Sequence, residues 1–217
     1  MGGGGGGGAE TGGGRKTGPV DLVVSAGTAG GFRARGAAIG DVYISSAVVH
    51  HDRRIPIHDA FEAFGLGRVE STPTPNLLAA LASGGGGGGA APGGGGANAD
   101  AAEPGAGPGA GPAPPPPVKL GLVSSGNSLD YTDRCMEIMT RHGAHVKEME
   151  AGAVAWVARG LFRCPAFFAL KAVTDVVDGE RATAEEFLAN LGAAARSLQE
   201  TLPRVIEFCA GKRPSEL

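Results

Sequence analysis

Aromatic residues make up only 5% of these 217 residues, and cysteine occurs three times. So few aromatics leave little to stack on nucleic-acid bases, and 19 Lys+Arg against 22 Asp+Glu give a net charge of −3 with no basic stripe. Nucleic acid is therefore set aside as a partner. Cys135, Cys164 and Cys209 are odd in number, far apart and without C-x-x-C spacing, which argues against a zinc site or a secreted disulfide frame and fits a reducing compartment. Also lacking is any apolar run long enough to span a membrane, and the N-terminus opens on glycines rather than on a basic segment followed by an apolar one. A soluble, cytoplasmic protein is expected.

Glycine and proline, by contrast, are abundant at 40 and 15 residues. The excess is local: 11 Gly fall within residues 1–19, and 14 Gly with 8 Pro fall within residues 84–117. Glycine has no side chain to pack and loses the most backbone entropy on ordering, so residues 1–19 read as a disordered tail and 84–117 as a low-complexity insertion. The fragment Gly14-Arg15-Lys16-Thr17 has Arg15 where a phosphate-binding loop needs Gly, and no strand precedes it. What remains, 20–217 apart from the insertion, has ordinary globular composition and is long enough to bury about 70% of its unfolded surface. One core, interrupted once, is predicted.

Strand and helix patterns alternate along that core, which predicts an α/β fold. Val20–Ser25 (VDLVVS) reads as a buried strand running into a tight glycine turn over 26–31, and Asp41–His50 as a second strand. Pro75–Leu81 reads as a helix with proline in its first turn, Lys119–Ser124 as a strand, and Asp130–His142 as a helix carrying Met136 and Met139 on one side. His145–Glu148 is short and extended, and Glu150–Leu161 has helical spacing. Ala166–Val173 (AFFALKAV) is the most apolar run and fits a strand buried on both faces. Thr183-Ala184-Glu185-Glu186 has the pattern of a capping box opening a long helix, with Leu188, Leu191, Ala195, Leu198, Leu202, Val205 and Cys209 on its buried stripe.

In open α/β sheets the ligand crevice lies beyond the carboxyl ends of strands. Four segments qualify: 27–31, 125–130, 148–150 and 174–175. The glycines allow close approach of a ligand to backbone amides, with Thr28 adding a hydroxyl, although strand ends also carry Gly for geometry alone. Glu150, beside the thioether of Met149, can accept ligand hydroxyls or simply face the helix dipole. Asp175, ending a very apolar strand, is either a buried proton donor or the cap of the next turn. Asp178 and Glu180 read as solvated loop charges. His50, His51 and Asp52 do not make a metal site on this reading, because adjacent residues of an extended run point to opposite faces.

In this order, VSAGTAGGF, IGDVYISSAVVHHDRRIPI, STPTPNLL, VSSGNSLD, KEMEAGAVAWVA and LKAVTDVVDGERATAEEFLANL resemble the plant and algal 5′-methylthioadenosine nucleosidases, related to the bacterial methylthioadenosine/S-adenosylhomocysteine nucleosidases. The resemblance covers 20–83 and 118–217. It implies a three-layer nucleoside phosphorylase-like fold, a central mixed sheet flanked by helices. It also implies hydrolysis of the N-glycosidic bond of 5′-methylthioadenosine to adenine and 5-methylthioribose in methionine salvage, with no cofactor, no metal and a homodimeric state. On this resemblance Asp175 is the general acid for the departing purine, held beside Thr174. Glu150 grips a ribose hydroxyl, Met149 packs on ribose and purine, and the Leu129 backbone binds adenine. Thr28, Ala29 and Gly30 line the ribose and leaving-group side, and Phe187 walls the alkylthio pocket.

Two departures from the family pattern carry expectations of their own. Asn127 stands where the family usually has Asp. The family's opening strands and its early water-activating glutamate have no counterpart before Val20, which predicts an N-terminally truncated fold with little activity of its own; His51 and Glu148 are the remaining candidates for activating water. The alternative functions are a catalytically impaired nucleoside-binding remnant and a purine nucleoside phosphorylase. Relatives that use phosphate carry Arg two residues before the first Gly of the glycine segment, where this chain has Ser25, so hydrolysis is preferred.

Overall fold

A computed structural model describes residues 20–55, 61–83, 115–180 and 183–217. The glycine-rich start, with its Gly14–Thr17 fragment, and residues 84–114 of the insertion lie outside the described residues. Among the described residues there are six strands: β1 (Leu22–Gly31), β2 (Val42–His50), β3 (Val69–Glu70), β4 (Val118–Ser125), β5 (Val146–Glu148) and β6 (Ala166–Val176). The helices are α1 (Glu62–Leu66), α2 (Pro75–Ser83), α3 (Asp133–His142), α4 (Ala151–Ala155) and α5 (Thr183–Cys209). Strand order is β3-β2-β4-β5-β1-β6, and β6 returns to pair with the first half of β2, so the sheet closes on itself. Parallel pairs (β1–β6, β2–β4, β4–β5) and antiparallel ones (β1–β5, β2–β3, β2–β6) make it mixed.

The apolar run of β6 is buried at every position, because it lies between β1 and β2 with helices on both faces. Its side chains alternate with the period of a strand. Phe167, Ala169 and Val173 join Ala151 and Ala155 of α4, whereas Ala166, Phe168, Leu170 and Ala172 join Leu77 and Leu81 of α2 and Ala194 and Val205 of α5. Each fully buried side chain of this kind contributes about 1.5–3 kcal/mol. Lys171 is the one charged residue of the strand's interior stretch, and it lies 1% exposed on the α4 side.

Several local expectations need correction. The glycines of 26–31 do not form a turn; β1 continues through them to Gly31. Their small size serves close approach instead, since a Cβ at Gly27 would meet Lys171 Nζ at 3.2 Å and one at Gly30 would meet Asp175 Oδ2 at 2.6 Å. Helix α3 starts at Asp133, three residues late, because the Thr132 hydroxyl caps it by accepting the Cys135 N–H at 3.2 Å. The helix after Glu150 widens at Trp156 into a π-helical turn to Leu161. On α5 the buried stripe runs through Glu186, Ala194, Ser197, Thr201 and Val205, leaving Leu188 71% and Leu191 40% exposed. Small residues let this helix approach the sheet closely, and the Ser197 hydroxyl donates to the Gly40 carbonyl at 2.9 Å. The capping box predicted over 183–186 rests partly on residues outside those described; within the described residues, Glu186 Oε2 accepts the Val176 N–H of β6 at 2.7 Å. Nor is Asp178 merely solvated, since its two oxygens accept the Arg33 and Ala34 N–H groups at 2.7 and 2.9 Å.

Candidate functional site

At the carboxyl end of β6 the parallel ladder with β1 slips. Ala29 pairs with Val173 but Gly30 with Asp175, so Thr174 is the extra residue of a bulge. Bulges re-aim side chains next to active sites. On its other edge Gly30 pairs with Lys147 of β5, which places Lys147, Gly30 and Asp175 side by side on three strands. The missing Cβ at Gly30 leaves room where it would otherwise strike Asp175 Oδ2 and Val177 Cγ2, both at 2.6 Å.

Asp175 is 2% exposed. Its Oδ1 accepts from the Thr174 hydroxyl at 2.7 Å, and its Oδ2 is buried without a hydrogen-bond partner. Burial pushes the carboxyl above its ordinary value, with the Glu186 carboxylate adding to the rise and the Thr174 hydroxyl and Lys147 opposing it. Such surroundings favour the protonated form and leave one carboxyl oxygen without a hydrogen-bond partner.

The segment Lys147–Glu150 supplies the opposite wall. Glu148 is 4% exposed: one oxygen accepts the Ser125 hydroxyl, and the other accepts the N–H groups of Glu150 (3.0 Å) and Ala151 (2.7 Å). Those two amides are among the otherwise orphaned donors at the start of α4. Lys171 Nζ closes the set at 2.8 Å from Glu148. Burial alone would raise the Glu148 carboxyl, but the Lys171 ammonium and the hydrogen bonds outweigh it and hold it below its ordinary value. Lys171 also stands 3.5 Å from Glu150, whose side chain is 64% exposed and free to turn toward a ligand.

Lys147 is 5% exposed and donates to the carbonyls of Ser128 (3.2 Å) and Leu129 (2.6 Å), fixing the loop after β4 over the site. One lone pair of the Leu129 carbonyl is thereby taken. Asn127 turns away from the cavity: its N–H and Nδ2 donate to Asp52 at 2.6 and 2.9 Å. An aspartate there would lack the side-chain donor and would oppose a second carboxylate.

These elements enclose a cavity of about 170 Å³. Every residue that the resemblance assigns to catalysis or substrate binding lines it: Thr28, Ala29 and Gly30 from β1, Leu129 from the loop after β4, Met149 and Glu150 at the β5–α4 junction, Thr174 and Asp175 from β6, and Phe187 from the first turn of α5. Glu148, a candidate for activating water, lines it as well, as do Lys147 and Val177, which were not anticipated as site residues. For Lys147 the available signal was the alternation of a short strand, which turns Lys147 and Met149 to one side. His51 lines a separate cavity of about 340 Å³ with Asp52, Asp130 and Cys135; burial, then the nearby Lys147, pushes its imidazole down to about 4. Neither candidate for activating water is therefore at hand: His51 is elsewhere, and both oxygens of Glu148 are bound. A third cavity, about 850 Å³ between β2, β3 and α2, is larger, but its two charged residues are already engaged. Glu70 is bound by Arg68, and Arg159 donates to the carbonyls of Cys164 and Pro165. Among the described residues no three His, Cys, Asp or Glu converge as metal ligands, and no helix is long and apolar enough to cross a membrane.

A closed mixed sheet with its crevice at strand ends, a bulged strand carrying a buried acid and a carboxylate at a strand-to-helix junction define a class. The sequence profile of the Phosphorylase superfamily matches residues 16–207, and the chain belongs to that superfamily. Within it, the chain is 40% identical over 197 residues to a 5′-methylthioadenosine/S-adenosylhomocysteine nucleosidase of Arabidopsis thaliana, covering 91% of this chain and 63% of the relative. It is 39% identical to a 5′-methylthioadenosine nucleosidase of the same plant, covering 91% of this chain and 60% of that one. The chain thus spans less than two thirds of the length of these curated relatives. A crystal structure of an MTA/SAH nucleosidase superposes with a TM-score of 0.70 at 40% identity, over 91% of this chain and 65% of that chain.

Proposed function

We propose that this chain binds 5′-methylthioadenosine and hydrolyses its N-glycosidic bond, releasing adenine and 5-methylthioribose. The observation that carries the reading is Asp175: a buried carboxyl in the cavity wall, raised by its surroundings, with one oxygen partnerless. Cleavage makes the sugar oxocarbenium-like and requires the purine to leave as a neutral base, so a proton must reach the ring nitrogen as the bond breaks. Thr174 holds Asp175 by its other oxygen, leaving Oδ2 to deliver that proton. Glu150 accepts a ribose hydroxyl, Met149 packs on ribose and purine, and the Leu129 backbone faces adenine. Thr28, Ala29 and Gly30 bound the ribose side, and Phe187 the alkylthio end. A cavity of about 170 Å³ is smaller than the roughly 300 Å³ at which drug-sized sites begin, so it takes the base inside and leaves the sugar across the half-exposed rim of Met149 and Glu150.

The relatives named above support the substrate. A place in methionine salvage and a cytoplasmic location are part of the same reading. A homodimer is part of the same reading, supported by Phe64, Leu161 and Phe162, which are 69%, 69% and 78% exposed. Light scattering on the purified chain checks it; a monomer at micromolar concentration would remove it. A second reading, nucleoside binding without rapid hydrolysis, draws on Glu148, whose two oxygens are occupied so that it cannot take a proton from water. The deciding experiment follows adenine release from 5′-methylthioadenosine and, in parallel, binding by calorimetry. Turnover on the order of 1 s⁻¹ or more establishes the hydrolase. Binding without turnover selects the second reading, and no binding overturns both.

A further inference from the structure

Behind Asp175, on the side away from the cavity, lies a second carboxylate that the reaction described above does not use. Glu186 sits in the first turn of α5, 9% exposed, and its Oε2 accepts the backbone N–H of Val176 at 2.7 Å. Val176 is the next residue after Asp175, so this single bond fixes the peptide on which the acid is mounted. The bond also ties α5 to the last residue of β6, just where Phe187 turns into the cavity. We propose that Glu186 is a positioning residue that locks the Asp175 peptide to α5 through the Val176 N–H and sets a second carboxylate beside the acid. The proposal rests on the reading of Asp175 as the proton donor.

The charges around Asp175 make the balance explicit. From β6 itself comes the Thr174 hydroxyl on Oδ1, and farther along the strand Lys171, already paired with Glu148. From β5 comes the Lys147 ammonium, which favours the ionised acid; Glu148 and Glu150 lie along the same wall, the first bound by Lys171. β1 contributes only Thr28, Ala29 and Gly30, none of them charged. From α5 comes Glu186, whose negative charge disfavours ionisation of Asp175. Glu186 in turn faces Arg33 and Glu180 across a polar cavity of about 350 Å³. Among these neighbours Glu186 alone combines a direct hold on the acid's own peptide with a charge that opposes Lys147.

Glu186→Gln separates the two parts, because the amide oxygen can still accept the Val176 N–H while the charge is gone. The readouts are the titration of the Asp175 carboxyl by carbon-13 NMR and the pH profile of kcat/KM for adenine release. The expected result is that Asp175 titrates at lower pH in the variant and the falling limb of the profile moves the same way. The rate on the alkaline side then drops by about 3- to 10-fold, with little change on the acid side. Glu186→Asp keeps the charge but withdraws it by one methylene; its midpoint falls between the other two, and it is the variant to read if the amide does not fold. An unmoved Asp175 midpoint overturns the proposal, as does a uniform loss of rate at every pH, which is what a purely structural tie would give. Absence of adenine release from the wild-type chain would instead sink the hydrolase reading, and the carboxyl titration would still judge Glu186.

Discussion

Two buried carboxylates line one cavity and are treated in opposite ways by the chain. Glu148 has both oxygens satisfied, by a hydroxyl, two helix-terminal amides and a lysine, and is held below its ordinary value. Asp175 has one oxygen satisfied and one left bare, with burial and Glu186 raising it and the bare oxygen lodged against the glycine beside it. The first arrangement stabilises a fixed charge and organises the start of α4. The second costs stability and stores the capacity to give up a proton. Carboxylates of like burial are thus divided into scaffold and reagent by what surrounds them.

Amide replacements are the sharpest way to break this comparison. Asp175→Asn should lower adenine release by about 10²- to 10⁴-fold, because an amide cannot protonate the purine, while binding falls much less. Its stability should move the other way. A carboxyl raised in the folded state contributes stability that is present below its unfolded value and lost as pH rises through the folded one, so at pH 7 the amide should melt at the same or a higher temperature. Turnover within threefold of the parent would remove Asp175 from the reaction.

Glu148→Gln should do the reverse. It leaves the Lys171 ammonium, 1% exposed, with only the more distant Glu150 carboxylate at 3.5 Å, a loss of about 3–5 kcal/mol in denaturant titrations. Since Glu148 is held below its ordinary value of 4.5, the stability it supplies is complete above that pH and fades as pH falls through the folded value. Acid unfolding of the parent should therefore be steeper than that of the variant in this window. Equal denaturant midpoints at pH 7 would mean that the buried pair carries no more than its isosteric replacement.

The difference between the two carboxylates was only half legible in the sequence. Asp175 could be picked out because it ends an apolar run at the place where α/β sheets bind ligands, and Glu150 and Met149 because they stand at a strand-to-helix junction. The continuous apolar run AFFALKAV likewise predicted a strand buried on both faces. Glu148 was legible only as a candidate for activating water and Lys171 not at all, because their buried ion pair joins residues 23 apart in the chain and depends on a sheet closure between β2 and β6 that no local pattern encodes. The glycines of β1 were misread as a turn, since sequence shows that a side chain is missing but not that Lys171 and Asp175 fill the place. On α5 the large leucines drew the predicted stripe, whereas Ala194, Ser197 and Thr201 are buried there, as close packing requires small residues more than apolar ones.

The smallest expected effect concerns the loop that joins the two walls. Asn127 donates twice to one oxygen of Asp52, and Lys147 holds the neighbouring carbonyls, so the Leu129 backbone is positioned by a carboxylate from one side and an ammonium from the other. The bonds to Asp52 help hold its carboxyl below the ordinary value against the opposing effect of burial. Asn127→Asp removes one donor and sets two carboxylates against each other in a half-exposed place, a loss of about 1 kcal/mol. The loop should loosen, so KM for 5′-methylthioadenosine rises about 2- to 5-fold with kcat little changed, and added salt recovers part of the loss by screening the repulsion. Combining it with Asp52→Asn exchanges the two groups and restores a donor opposite an acceptor. The double variant should regain most of the parent KM. If it is no better than Asn127→Asp alone, the Asp52 contact does not position Leu129, and the Lys147 bonds to the two carbonyls hold the loop unaided.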